Sequence, residues 1–223
     1  MTCFKKNPNM KKLIFIFSCL CALGMNAQTL KQQGASVEQI VPEGWEHQEA
    51  EGDLNKDGIK DLVVLTKPNF KENMKTRDDG YVYNFNKYII AIYFGQAAGG
   101  FQLWKQYKEL FPADDEWCSI DVDVSITEKG ALNIDRDFFA SAGSYGTSQT
   151  KYTYRYQNGD FFLIGQEDRE MMRNTGDMTT VSENYLTWRR QTIKDNAFEE
   201  GKKKETWSKL PKQSLEKLGD HEL

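Results

Sequence analysis

From Ile120 to Ile126 the chain alternates apolar and polar residues one by one: Ile120, Val122, Val124 and Ile126 against Asp121, Asp123 and Ser125. Successive side chains of a strand point to opposite faces, so this run is a strand with one dry face and one wet face. Glu128-Lys129-Gly130 turns it into a partner at Leu132-Asn133-Ile134. Tyr152, Tyr154 and Tyr156 alternate in the same way, and Asn158-Gly159 joins them to Phe161-Phe162-Leu163-Ile164. Asn-Gly between two such runs signals a hairpin, because both residues tolerate the positive φ of a tight two-residue turn. Upstream, Leu62-Val63-Val64-Leu65 and the run from Lys87 to Phe94 are continuously apolar and rich in β-branched or aromatic residues, as strands buried on both faces are. Gly95 to Gly100 turns the second of these into Phe101-Gln102-Leu103-Trp104. Another strand is expected from Tyr185 to Ile193, and a long loop or hairpin over 67–86. A short helix at Ser36–Ile40 stops at Pro42-Glu43-Gly44, with Trp45 anchoring the chain behind it. The sum predicts a mainly β fold: one antiparallel, sandwich-like domain with a short N-terminal helix.

A second feature precedes the first buried run. Asp53-Leu54-Asn55-Lys56-Asp57-Gly58-Ile59-Lys60-Asp61 reads D-x-N-x-D-G-x-x-D. Asp53, Asn55, Asp57 and Asp61 supply oxygens, Ile59 offers its backbone carbonyl, and Gly58 permits the sharp turn, which is the ligand order of a calcium loop. The position where an EF-hand carries its bidentate Glu is Val64, and a strand follows instead of a helix. The expected cofactor is therefore Ca2+, held as a structural staple at Asp53, Asn55, Asp57, Ile59 and Asp61.

The residues Gly52-Asp53, Asn55, Asp57-Gly58 and Asp61-Leu62, then Phe94-Gly95 and Gly100-Phe101, resemble one FG-GAP/VCBS-type repeat. The resemblance implies calcium at the Asp/Asn loop. It occurs once, whereas propellers built from such repeats need several blades. The layout beyond it is similar to that of secreted bacterial proteins.

The N-terminus predicts export. Met10-Lys11-Lys12 is a short basic region, Leu13 to Met25 is apolar, and Ala27 precedes Gln28 at a small-residue cleavage pattern. The expected division is a signal peptide over 1–27, a β-rich calcium-binding domain over 28–195, and a charged, partly docked tail over 196–223. Ile16-Phe17-Ser18-Cys19 also resembles a lipoprotein box, the less favoured alternative. No later segment is apolar for long enough to span a membrane. Removal of Lys5, Lys6, Lys11 and Lys12 leaves 25 basic residues against 33 acidic ones, a net of −8 that disfavours nucleic acid as a partner. Of Cys3, Cys19, Cys21 and Cys118 only Cys118 would remain, so no internal disulfide is expected.

The two histidines, His47 and His221, and the one remaining Cys make no catalytic or zinc-binding pattern. Asp121 and Asp123 share one strand face, as do Asp135 and Asp137, and Ser141 to Thr147 forms a small-residue loop. The expectation is a periplasmic or extracellular, calcium-stabilised binding or scaffold protein with a protein or glycan ligand. The alternative is a hydrolase of envelope or dietary polysaccharide or peptide that uses its acidic residues.

Overall fold

The computed structural model describes residues 29–201 and 203–223, and the expected signal peptide, with Cys3, Cys19 and Cys21, lies outside them. The first half of the described chain runs β1 (Gln33–Gly34), α1 (Val37–Ile40), β2 (Glu46–Gly52), β3 (Asp61–Lys67), β4 (Met74–Thr76), β5 (Val82–Asn84), β6 (Ile89–Gly95) and β7 (Phe101–Tyr107). The second half is an uninterrupted series of strands: β8 (Cys118–Ile126), β9 (Ala131–Ala140), β10 (Gly146–Gln157), β11 (Asp160–Met172), β12 (Asp177–Asn184), β13 (Arg189–Asn196) and β14 (Lys204–Lys209). The fold is mainly β and antiparallel, with sandwich-like packing, as the alternation and hairpin signals predict.

The first sheet has five strands in the order β1-β7-β6-β3-β2, and β4 and β5 form a separate small hairpin. The second sheet has seven strands in strict sequence order from β8 to β14, a meander in which every connection is a hairpin. Every residue of β3 is buried, which explains its unbroken apolar run. Val63 and Leu65 face the core between the sheets, against Val122, Val124, Ile134 and Tyr154. Leu62 and Val64 face the other way, under Val37, Ile40, Val41 and Trp45 of the N-terminal segment. Each such aliphatic side chain contributes about 1.5–3 kcal/mol by leaving water.

The two sheets are joined at their edges. The Gln48 side chain on β2 donates to Asp123 on β8 (2.9 Å) and accepts the backbone N–H of Val124 (2.9 Å). A side chain from one edge strand thus satisfies the backbone of the other, in place of a further strand. A register shift between Ile92 and Tyr93, opposite Trp104, marks a bulge that turns the indole of Trp104 into a cluster with Phe94, Tyr156 and Phe161.

The expected strand over Tyr185–Ile193 is corrected: β12 ends at Asn184, a turn occupies 185–188, and β13 begins at Arg189. The turn lacks Gly and Pro, so the sequence does not punctuate it. Trp188 supplies the left-handed residue instead, at φ 55°. In the C-terminal segment β14 pairs with β13, while Leu218 and Leu223 reach the main core.

Candidate functional site

The Asp53–Asp61 segment is the hairpin loop between β2 and β3, whose ends meet as the Gly52–Asp61 pair. Its oxygens are engaged by its own backbone. Asp53 accepts from Lys56 N (2.7 Å) and Gly58 N (3.1 Å), Asn55 from Asp57 N (3.0 Å), and Asp57 from Ile59 N (2.8 Å). Asp61 is fully buried and accepts from Leu54 N (2.8 Å), Asn55 N (3.3 Å) and, across the sheet, Gly95 N (2.9 Å). Burial raises its pKa above the ordinary carboxylate value, and the three N–H donors oppose that rise. Gly95 is required here because a Cβ would stand 2.1 Å from the Lys60 carbonyl oxygen. Ile59 is half-buried and its N–H serves the Asp57 turn. Among the described residues no group of three or more His, Cys, Asp or Glu is arranged to hold a metal ion.

The chemistry-bearing cleft lies elsewhere, where the β4–β5 hairpin and the 112–118 loop flank the start of β8. It encloses about 490 Å³ and is lined by Glu46, Lys67, Tyr88, Asp114, Trp117 and Asp121, among others. Lys67 at its base is buried, pairs with Asp114 at 2.5 Å, and lies over the Tyr88 ring at 4.7 Å. Asp114 also accepts Ile120 N (2.8 Å), which ties the 112–118 loop to β8. Asp115 accepts the N–H groups of Trp117 and Cys118, at 2.7 Å each, so a carboxylate turn fixes the loop that carries Trp117.

Tyr88 sits half-buried within this group of carboxylates. Desolvation and the charges of Asp121, Asp114, Glu46 and Asp123, in that order, push its pKa up to about 12. Its hydroxyl therefore remains a neutral donor at any physiological pH. Two aromatic side chains that line the cleft are exposed: Trp117 by 62% and Phe139 by 44%. Arg173 lies 4.3 Å over the Phe139 ring and is pinned by the carbonyls of Ala140 (2.7 Å), Ser144 and Tyr145 (3.2 Å each). Tyr83, which also lines the cleft, stacks on Phe85 at 5.5 Å. Ser141, from the small-residue loop, lines the rim, and Cys118 is a free, half-buried thiol at the cleft's edge.

The four strand-face acids come together across one ladder. Asp121 pairs in register with Asp137, and Asp123 with Asp135. Directly opposed like charges destabilise a sheet. Lys151, 3.7 Å from Asp135, and Gln48 on Asp123 offset part of this. Burial is the main cause of the raised pKa of Asp135, with Lys151 lowering it and Asp123 and Asp137 raising it. Sequence reasoning singled out Asp121 but missed Tyr88, Asp114 and Trp117. The acidic run Asp114-Asp115-Glu116 ending in Trp117 is the signal that could have drawn attention to them.

The family whose model matches this chain is CgtA, beta-1,4-N-acetylgalactosaminyltransferase, over residues 86–222. The chain belongs to that family. The CgtA match covers β6 through the C-terminal segment, and so takes in Tyr88, the 112–118 loop, Asp121 and Phe139. Comparison with curated proteins and with solved structures gives no match. CgtA membership corrects the FG-GAP/VCBS resemblance: the D-x-N-x-D-G-x-x-D segment lies before the matched region and builds a self-closed turn. It also overturns the calcium-stabilised scaffold reading and the hydrolase alternative, since the CgtA name is that of a glycosyl-transferring, catalytic family. Among the described residues no helix is long and apolar enough to cross a membrane.

Proposed function

We propose that this chain takes part in N-acetylgalactosaminyl transfer and that the Tyr88 cleft seats the acceptor saccharide. The observation that carries this reading is the placement of a neutral tyrosine hydroxyl among the carboxylates of Asp121, Asp114 and Glu46, in a cleft also lined by the exposed indole of Trp117. A sugar ring has an apolar C–H face and a rim of hydroxyls. Trp117 and Phe139 offer stacking surfaces for the first, and the carboxylates and Tyr88 offer acceptors and a donor for the second. The surplus of carboxylates favours a neutral saccharide over a bare phosphate.

Transfer requires the acceptor hydroxyl oxygen to attack the anomeric carbon of the donor while the bond to the leaving group breaks. The leaving group keeps that electron pair, and the acceptor's proton must go to a base. Asp114 is committed to Lys67 and Ile120 N. No side-chain hydrogen bond or ion pair engages Asp121 among the described residues, so Asp121 is the base in this reading. Tyr88 positions the acceptor by donating its hydrogen bond.

The test is transfer of N-acetylgalactosamine from an activated donor to a panel of saccharide acceptors, followed by product mass and linkage. Activity in the wild type and its loss in Asp121→Asn support the reading. Equal activity in Asp121→Asn removes the assigned base, and absence of both acceptor binding and transfer removes the cleft assignment.

A further inference from the structure

A second cavity lies under a strap. After β14 the chain crosses back over the second sheet without regular structure. One end is fixed where Leu210 N donates to Trp188 O (2.8 Å). The other is fixed where Leu163 N donates to Glu216 O (2.8 Å) and Leu218 N to Phe161 O (2.9 Å). Between these anchors the strap stands off the sheet and encloses about 230 Å³, lined by Leu163, Glu183, Tyr185, Trp188, Arg190 and strap residues including Gln213 and Ser214. None of these residues lines the Tyr88 cleft.

Three observations specify the ligand class. The first is size: 230 Å³ falls just below the range of about 300–1,000 Å³ typical of drug-sized ligands, so it suits a single ring. The second is charge. Arg190 Nε donates to Glu183 at 2.5 Å, its Nη2 pairs with the same oxygen, and the Tyr185 hydroxyl donates to the other Glu183 oxygen at 2.6 Å. The Glu183 side chain is only 13% exposed, so the fork is prearranged and internally neutral. Glu216 adds a further negative charge at the rim, which disfavours an anion. The third is the wall. Tyr185 and Trp188 present tilted rings 6.0 Å apart, and Trp188 is held there at φ 55°, a left-handed backbone that a bulky side chain rarely adopts. The structure keeps an aromatic ring facing the cavity where glycine would relieve the strain.

We propose that the strap cavity binds a neutral monosaccharide, as a second saccharide site separate from the Tyr88 cleft. One apolar sugar face lies on Trp188, and the hydroxyls meet the Glu183–Arg190–Tyr185 fork and the Gln213 and Ser214 side chains. This goes beyond the acceptor reading of the cleft and does not depend on it.

The test uses the full chain carrying Trp117→Ala, which disables the cleft at an exposed position. Galactose, glucose, N-acetylgalactosamine and the anionic glucuronate are titrated by calorimetry and saturation-transfer NMR. Saturable binding of a neutral sugar is expected, with glucuronate at least tenfold weaker. Adding Trp188→Gly removes the ring at a backbone that suits glycine, so the melting temperature should hold while binding falls tenfold or more. Tyr185→Phe should weaken binding severalfold. The proposal is overturned if no neutral sugar binds the Trp117→Ala chain, if binding survives Trp188→Gly unchanged, or if glucuronate binds best. Loss of transfer in Asp121→Asn with cavity binding intact separates the fate of this site from that of the cleft.

Discussion

Asp121 on β8 stands directly across from Asp137 on β9, two like charges in one cross-strand pair. A sheet selected for stability alone would place an opposite charge or a hydroxyl at one of the two positions. Replacing Asp137 with Asn should therefore stabilise the fold by about 0.2–1 kcal/mol, most at low salt where screening is weakest. Urea denaturation at two ionic strengths checks this. A destabilised Asp137→Asn would mean that Asp137 has a favourable partner.

The Asp61 carboxylate should be among the most costly side chains to remove outside the apolar core. Asp61→Ala leaves the N–H groups of Leu54, Asn55 and Gly95 without their acceptor, and those of Leu54 and Gly95 are in buried residues. Each unsatisfied buried donor costs about 1–3 kcal/mol, so a loss of about 2–6 kcal/mol is expected in chemical denaturation. A loss under about 1 kcal/mol would show that the loop does not depend on this residue.

The sign of the Asp61 pH effect is opposite to that of a salt-bridged acid. Its pKa is raised in the folded chain, so the native state holds the proton more tightly than the unfolded one. Its contribution is full below the unfolded value near 3.8 and falls as pH rises through the raised folded value. Asp135 acts in the same direction. The difference in stability between wild type and an Asp61→Asn chain should shift in this sense over the acidic range, read by thermal melts at stepped pH.

At the alkaline end, burial holds Tyr88 and Tyr93 up to about 12, and Tyr107, Tyr152, Tyr154 and Tyr185 are also raised. Folding keeps these protons, so stability is full below the unfolded value of 10.0 and declines as pH climbs towards the folded values. Ultraviolet titration of phenolate should show the buried tyrosines ionising together with loss of the β circular-dichroism signal. Their ionisation near 10.0 in a still-folded chain would contradict this burial.

The Tyr107 hydroxyl is buried with no hydrogen-bond partner among the described residues. Tyr107→Phe removes an unsatisfied group while keeping the ring in the core, and should be neutral or stabilising by about 1 kcal/mol. A marked loss of stability would indicate a bound water at that oxygen.

How much of this was legible in the sequence depends on the range over which residues act. β3, β6 and β8 follow from local apolar runs and alternation, and the Asn158-Gly159 turn takes positive φ at both positions, 52° and 82°, as its residue types imply. The Asn184–Arg189 turn was hidden because Trp188, not glycine, adopts the left-handed conformation. In the Asp53–Asp61 segment the spacing alone does not separate Asx turns from calcium coordination, because both call on the same residues at the same spacing. The cleft was illegible for a different reason. Lys67 and Asp114 are 47 positions apart, and Glu46, Tyr88 and Asp121 converge only when the two sheets meet. The aromatic rim and the carboxylates show no mutual spacing until the meander folds against the first sheet.

In the proposed function Asp121 and Tyr88 form the working centre of a saccharide-transferring cleft. The most direct measurement is the rate of N-acetylgalactosamine transfer to a bound acceptor by wild type, Asp121→Asn and Asp123→Asn, with Tyr88→Phe alongside. If Asp121 is the base, Asp121→Asn lowers kcat by about 10²–10⁴-fold with KM nearly unchanged, while Asp123→Asn, one dipeptide along the same face, stays within a few-fold of wild type. If Tyr88 positions the acceptor, Tyr88→Phe raises KM more than it lowers kcat. Wild-type kcat in the Asp121→Asn chain, or equal losses in Asp121→Asn and Asp123→Asn, would show that Asp121 is not the base.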